Sequence, residues 1–403
     1  MRKILLGTTA VVGAALIGAQ AHAQTAPTVR VGGYFDFSVG YIDDTADRNR
    51  IIATSGVRSR DKIDFRSDAE IHIIVSGKAA NGLEYGAVIE LQVDNVGGSS
   101  AGTAVDTDEM YMFVASPSLG RLTLGDEDNA ANLIQVRAPT VYGSGPAGRW
   151  TDFVQAQGGS RYLMGSINDG NDATKIIYMS PQFFGFDFGI SFAPNGGEGE
   201  RELLGAAAGA PVAGAYVPGA ATTMQRDGAG LRNEISGAIR YRGSFGNVGV
   251  AAGLGAQTAR PAVTVPGGTP NVTAYNVGLS VSAFGFQVGG EYVWGKYAGG
   301  SPGRTPVAPG RGNSSHYVLG ATYTTGPIGL GAFYGSATQD NGPGVSDLRQ
   351  TVWGLGTTYA IAPGLQGFAN YTNVSDKNRV AIGNPARTTR SIDAFIVGMA
   401  LAF

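Results

Sequence analysis

Large apolar residues alternate with small or polar ones along most of the chain. In VRVGGYFDFSVGY, one face collects Val29, Val31, Phe35, Phe37, Val39 and Tyr41, and the other Arg30, Gly32, Tyr34, Asp36, Ser38 and Gly40. DKIDFRSDAEIHI sets Ile63, Phe65, Ile71 and Ile73 against Lys62, Asp64, Arg66, Asp68, Glu70 and His72. FFGFDFGISF places Phe184, Phe186, Phe188, Ile190 and Phe192 opposite Gly185, Asp187, Gly189 and Ser191. AYNVGLSVS and FQVGGEYVW repeat the arrangement. In the last segment, Phe395, Val397, Met399, Leu401 and Phe403 alternate with Ala394, Gly398, Ala400 and Ala402, with Ile396 the exception. A period of two predicts strands with one oily face.

The strands are punctuated in two ways. Six tight turns lead into glycine-studded alternation: SPSLGRLTLG from 116, SPQFFGFDFGI from 180, GSFGNVGVAAG from 243, SAFGFQVGGEY from 282, TGPIGLGAFYG from 325 and APGLQGFANY from 362. A seventh turn, Asn81-Gly82, carries a strong hairpin signal. Longer polar connections fall near 43–61, 95–106, 128–172, 194–230, 258–271, 298–313, 339–349 and 375–390. Seven short turns and eight long loops make fifteen connections, hence sixteen strands. An even strand count with short turns at one end and long loops at the other predicts a 16-stranded antiparallel transmembrane β-barrel, with short periplasmic turns and long extracellular loops.

Composition narrows the setting. The first 24 residues combine Arg2 and Lys3, an apolar run from Ile4 to Ala19, and Ala21-His22-Ala23. They predict a secretory signal over 1–23 cut after Ala23, leaving 24–403 as the barrel. Charged residues are 15% of the chain and mean hydropathy is +0.00, yet beyond the signal no apolar stretch is long enough for a membrane helix. A soluble sandwich would need extra cover for sixteen oily faces, and no helical segments are predicted to supply it. In lipid the oily faces turn outward, and every backbone group must pair within a closed sheet. The chain has no cysteine, which excludes disulfides and thiolate chemistry. Its 31 acids against 29 bases give no reason to expect nucleic-acid binding.

On these features the chain resembles the Gram-negative general porins, particularly those of α-proteobacterial type. The resemblance rests on the signal, the strand count, DEMYMFVASPSLGRLTLGDEDNA at 108–130 and the terminal Phe403. It implies a homotrimer of barrels in the lipid of the outer membrane. It implies assembly by machinery that reads an aromatic terminal strand, and a third loop, here 128–172, that folds inward and constricts the pore. Enteric members carry Pro-Glu-Phe-Gly-Gly in that loop; the motif is absent here, and EMYMFVA lacks the arginine those relatives place on their fourth strand. Their constriction charges therefore do not carry over.

The candidate pore-lining residues are read from this chain instead. They are Arg66, Asp68, Glu70 and His72 on the second strand, Glu84 and Glu90 on the third, Arg121 and Glu127 on the fifth, and Asp128, Arg137, Arg149, Asp152 and Arg161 on the loop. Each could equally be a solvated charge away from the narrowest point. Asp68, Glu70, Glu84 and Glu90 predict weak cation preference, since charged rings set the local potential. Trp294, Tyr297, Phe183, Phe245, Phe284 and Phe403 are candidates for aromatic girdles at the membrane boundaries.

Other chemistry finds little support. The two histidines after the signal, His72 and His316, lie on strands far apart, and no nucleophile elbow accompanies them, so no enzyme is predicted. No cofactor is predicted; DEDN at 126–129 and NDGND at 168–172 offer oxygen ligands for calcium, but neither has the spacing of an EF-hand loop, and solvated loop acids are the better reading. Passive diffusion of ions and small hydrophilic solutes is the expected function. A substrate-selective channel, with Arg232, Arg240 and Arg242 on one inward face, stays open as an alternative. So does a non-conducting structural or adhesive barrel using the loop at 194–230.

Overall fold

The computed structural model describes residues 26–45, 50–52, 56–58, 61–93, 106–154, 163–170, 172–196, 230–261, 268–308, 310–378 and 389–403. The signal segment, Arg161 and most of the 194–230 loop lie outside the described residues. The first half of the chain gives β1 (Thr28–Asp44), β2 (Arg50–Ile52), β3 (Gly56–Arg58), β4 (Ile63–Lys78), β5 (Glu84–Gln92), β6 (Asp106–Ser116), β7 (Gly120–Asp126), β8 (Thr174–Met179) and β9 (Phe186–Asn195). The second half gives β10 (Leu231–Phe245), β11 (Val248–Pro261), β12 (Val272–Ala283), β13 (Phe286–Lys296), β14 (Ser314–Thr325), β15 (Ile328–Gln339), β16 (Leu348–Ala362), β17 (Leu365–Lys377) and β18 (Arg390–Ala402).

Apart from the β2–β3 hairpin in the first long loop, the strands form one closed barrel in which each pairs antiparallel with its neighbours. Sixteen strands close the ring, as the spacing of turns and loops predicts. Closure occurs where β18 meets β1, in register from Tyr34↔Ala402 to Asp44↔Ile392. At the short-turn end of this seam, Gly33 and Phe403 exchange both backbone hydrogen bonds at 3.1 Å. At the long-loop end, Arg390 Nε donates to Asp44 Oδ1 at 2.9 Å, and both residues are buried.

The outward face is the predicted oily one. Val29, Val31, Phe35, Phe37, Ile63, Phe65, Phe186, Phe188, Phe395 and Met399 are all exposed on the single chain. Such a surface suits hydrocarbon and is far larger than a soluble monomer tolerates. Trp294 stacks between Tyr275 and Tyr292 on this face, at centroid distances of 5.7 and 5.2 Å. Phe183, Phe245, Phe284 and Phe403 are exposed near the short turns. Tyr297 departs from the girdle expectation: it is fully buried, because it lies just past β13 and turns inward onto His316, with 3.4 Å between the phenol oxygen and Nδ1.

The inward face departs from a uniformly polar lumen. Val318, Phe333, Val352, Phe368, Ile392 and Ile396 point inward from β14 to β18 and are buried with Trp150, Phe153 and Met164 of the third long loop. A second dry cluster joins Ala131 and Ile167 of that loop to Leu231, Val272, Val293 and Tyr297. Ile396, the exception in the alternation of the last strand, is explained by the first cluster.

Candidate functional site

The candidate site is where the connection from β7 to β8 meets the inner wall. Asn129 caps a short helix, Ala130–Ile134, by accepting from Asn132 N at 3.0 Å. Its amide also donates to Glu234 Oε1 at 3.1 Å, and Ala130 N donates to Ser191 Oγ at 3.1 Å, tying the helix to β9 and β10. The chain then crosses the wall strand by strand. Val136 lies on Gly253 and Gly278, Pro139 on Gly289 and Gly320, and Val141 on Gly331 and Gly356. At Gly278 and Gly320 a Cβ would collide with the carbonyl oxygens of Val136 and Pro139, so only glycine lets the two backbones lie this close. Returning, Leu163 N donates to Gln350 Oε1 at 2.7 Å.

A 3-10 helix, Arg149–Phe153, ends the crossing with Trp150 and Phe153 in the dry cluster. Arg149 leaves the same turn toward β1 and β4. Its guanidinium lies 3.1 Å from Asp36 Oδ2 and 2.5 Å from Asp68 Oδ2, and donates to Tyr142 Oη at 3.1 Å. Tyr142 in turn donates to Asp36 Oδ2 at 2.7 Å. Asp152 sits 3.6 Å from Arg149 and 3.7 Å from Arg66. Burial works against the Arg149 charge, but Tyr142, Asp36 and Asp68 outweigh it and hold the guanidinium above its usual range. Burial raises the Asp152 carboxyl, opposed by Arg66 and Arg149.

The arc from β4 to β8 is acidic. Carboxylate oxygens of Glu109, Asp128 and Asp172 lie within 4.8 Å of one another. The two stretches 126–129 and 168–172 thus converge, with Glu109 as a third member. Burial, reinforced by Asp169, pushes Asp128 up to about 6 and Asp172 up to about 7. Burial also pushes Glu127 up to about 7, against the pull of Arg121. Nearby, Glu70 and His72 of β4 and Glu90 of β5 form a second group of ligand-type atoms within 4.8 Å of one another.

The remaining candidates scatter. Glu84 pairs with Lys78 at 3.1 Å on the short-turn rim, far along β5 from Glu90. Arg121 lies over the Phe113 ring at 4.1 Å. Glu127 is buried just beyond the end of β7, its carbonyl taking the Lys175 amine, rather than standing free on a strand. Arg137 is exposed and donates to Asn132 Oδ1 at 2.9 Å. Arg240 and Arg242 converge on Asp187, at 2.7 and 2.8 Å. Arg232 departs from their face: Asn233 takes φ 51° where the β10–β11 register shifts, so Leu231 is buried and Arg232 exposed. Asp36 and Tyr142 were not among the candidates. Asp36 is legible as inward in the β1 alternation, but nothing local reveals that a loop residue 113 positions later, Arg149, meets it.

A closed sixteen-stranded barrel, oily outside and with charged side chains inside, defines a membrane channel. The chain belongs to the Gram-negative porin family, which it matches over residues 7–379, and is an outer-membrane channel for passive diffusion. Among solved structures, an anion-selective porin from Comamonas acidovorans superposes with TM-score 0.57 at 16% identity, over 94% of this chain and 100% of that one. OmpT of Vibrio cholerae lacking loop L8 gives TM-score 0.57 at 12% identity, over 94% and 100%. OmpT in a trimer form gives 0.54 at 12% identity, over 94% and 100%. At these identities the likeness concerns the fold alone, and it singles out no α-proteobacterial branch. No curated protein sequence matches the chain.

Proposed function

We propose that this chain is a general diffusion pore whose β7–β8 loop sets the aperture, with a weak preference for cations and no catalytic role. The observation that carries the reading is the seating of the loop backbone on wall glycines, Val136 against Gly278 and Pro139 against Gly320, with Arg149 tied to Asp36 and Asp68. A loop so seated divides the lumen and leaves the β4–β8 arc as the conducting side. Arg66, Arg149, Arg240 and Arg242 each meet a carboxylate. The open arc gathers Glu70, Glu90, Glu109, Asp128 and Asp172, against His72, Arg121 and Lys175. An acidic arc raises local cation concentration, the opposite of what the name of the Comamonas porin states for that protein.

Three barrels form the working unit in this proposal, as the trimer form of OmpT illustrates for its own chain. The exposed outer aromatics contact lipid, and the strand ending at Phe403 engages the assembly machinery. A substrate-selective channel is the second reading, favoured by a hollow of about 370 Å³ lined by Gln182, Arg242, Ser244, Ser282 and Gln287. Single-channel recording in a planar bilayer with a salt gradient tests both. Ohmic steps in threes, a reversal potential of cation sign and no solute block support the general pore. Anion preference overturns the charge argument, and saturable block by one solute establishes the selective channel.

A further inference from the structure

The wall between β1, β4 and β5 holds a group that diffusion does not explain. Glu70 and His72 point inward two residues apart on β4, and Glu90 stands directly across from His72 in the β4–β5 register. The two imidazole nitrogens face different carboxylates. His72 Nε2 lies 2.9 Å from Glu70 Oε2, a good hydrogen bond. His72 Nδ1 lies 3.5 Å from Glu90 Oε1, which is too long for one. Two ligands on a tetrahedral ion with bonds near 2.05 Å stand about 3.4 Å apart, so the gap matches an ion better than a proton.

The other contacts have the form of an outer shell. Metal-bound histidines donate their second ring N–H to a carboxylate, which fixes the ring. Glu70 Oε2 occupies that position, and Glu70 Oε1 accepts from Tyr34 Oη at 2.9 Å. Tyr34 also lies edge-on to the His72 ring, with centroids 6.5 Å apart and planes at 84°. The ring is thus held on two sides before any ion arrives. All three side chains are partly open to the lumen, so an ion can reach them: His72 is 24% exposed, Glu90 17% and Glu70 10%.

We propose that His72 Nδ1 and Glu90 form a lumenal site for a borderline divalent cation of the zinc type, with Glu70 and Tyr34 orienting the imidazole and lumen water completing the shell. An imidazole–carboxylate pair suits zinc, nickel or copper; calcium prefers an all-oxygen shell of six to eight ligands. The site is distinct from the all-oxygen group of Glu109, Asp128 and Asp172.

The test is calorimetric titration of Zn²⁺ into the detergent-solubilised full chain carrying no affinity tag, with Co²⁺ absorption as a second readout. One zinc per chain is expected, with a visible Co²⁺ band of tetrahedral intensity and no displacement by millimolar Ca²⁺. His72→Gln and Glu90→Gln should abolish binding, and Glu70→Gln should weaken it roughly 10–100-fold. Heat-modifiable gel mobility confirms that each variant is a closed barrel. Unchanged binding in His72→Gln overturns the proposal, as does displacement by Ca²⁺ or loss of binding in Asp172→Asn alone.

Discussion

Two arcs of one inner wall carry opposite chemistry. From β14 round to β1, Val318, Phe333, Val352, Phe368 and Ile396 are buried beneath Trp150 and Phe153. From β4 to β8, Glu70, Glu90, Glu109, Asp128 and Asp172 surround a few bases. The same strand rules build both arcs, and the outer faces of both are equally oily. What separates them is the loop: its Trp150 and Phe153 cover one arc, while Glu90, Glu109, Asp128 and Asp172 of the other stay only half-buried. The dry arc therefore acts as a small hydrophobic core inside a membrane protein, held by solvent exclusion that the lipid-facing side does not experience. Arg149 is the joint, growing from the same turn as Trp150 and Phe153 yet ending on Asp36 and Asp68.

Placing a side chain in the track should abolish the contrast most completely. Gly278→Val drives a Cβ into the Val136 carbonyl, so the loop leaves the wall. Single-channel steps should enlarge, and limited proteolysis should cut within 136–154. Trp150→Ala acts on the dry arc alone and should cost about 3–5 kcal/mol of loop seating, read as noisier and larger open currents. Arg149→Gln acts on the joint. It strands Asp36, 1% exposed, and should cost about 3 kcal/mol, partly relieved by Tyr142, with conductance between wild type and Trp150→Ala.

Proton concentration sharpens the comparison from the acidic side. Asp128, Asp172 and Glu127 are pushed up to about 6, 7 and 7, while unfolded Asp and Glu titrate near 4. The folded state binds the extra protons, so this arc's stability is greatest below pH 4 and falls as pH rises toward 7. Over the same climb the arc gains negative charge. The cation-to-anion permeability ratio from reversal potentials should rise from pH 5 to pH 8, and Asp172→Asn should flatten the curve. The smallest effect belongs to the rim pair. Lys78→Ala removes an exposed contact to Glu84 and should leave conductance and selectivity unchanged.

The barrel was legible because its signal is repeated and local. Alternation at Val29–Tyr41 and Phe395–Phe403 fixes faces, and the turns at Asn81-Gly82 and Pro363-Gly364 fix the strand count. The site was legible only by halves. Asp36, Asp68, Glu70, His72 and Glu90 read as inward from parity, and Tyr34 meets Glu70 across the neighbouring β1–β4 ladder, but Arg149 and Tyr142 reach Asp68 and Asp36 only through the path of the loop. Phe333, Val352 and Phe368 could not be read as buried, because an inward apolar residue on a barrel strand gives no hint of the loop above it. Tyr297 and Arg232 went astray for a simpler reason: a strand end and a shifted register reverse the parity on which such assignments depend.

The seam between β1 and β18 has a consequence in time. The partners Asp44 and Arg390 are separated by 346 positions, so β1 lacks one neighbour until nearly all of the chain has been synthesised. Pairings this distant in sequence form slowly, and an unfilled strand edge is sticky in the meantime. Any chain released before β18 is made presents two raw edges at once, which gives a cell a plain structural mark for telling unfinished copies from finished ones.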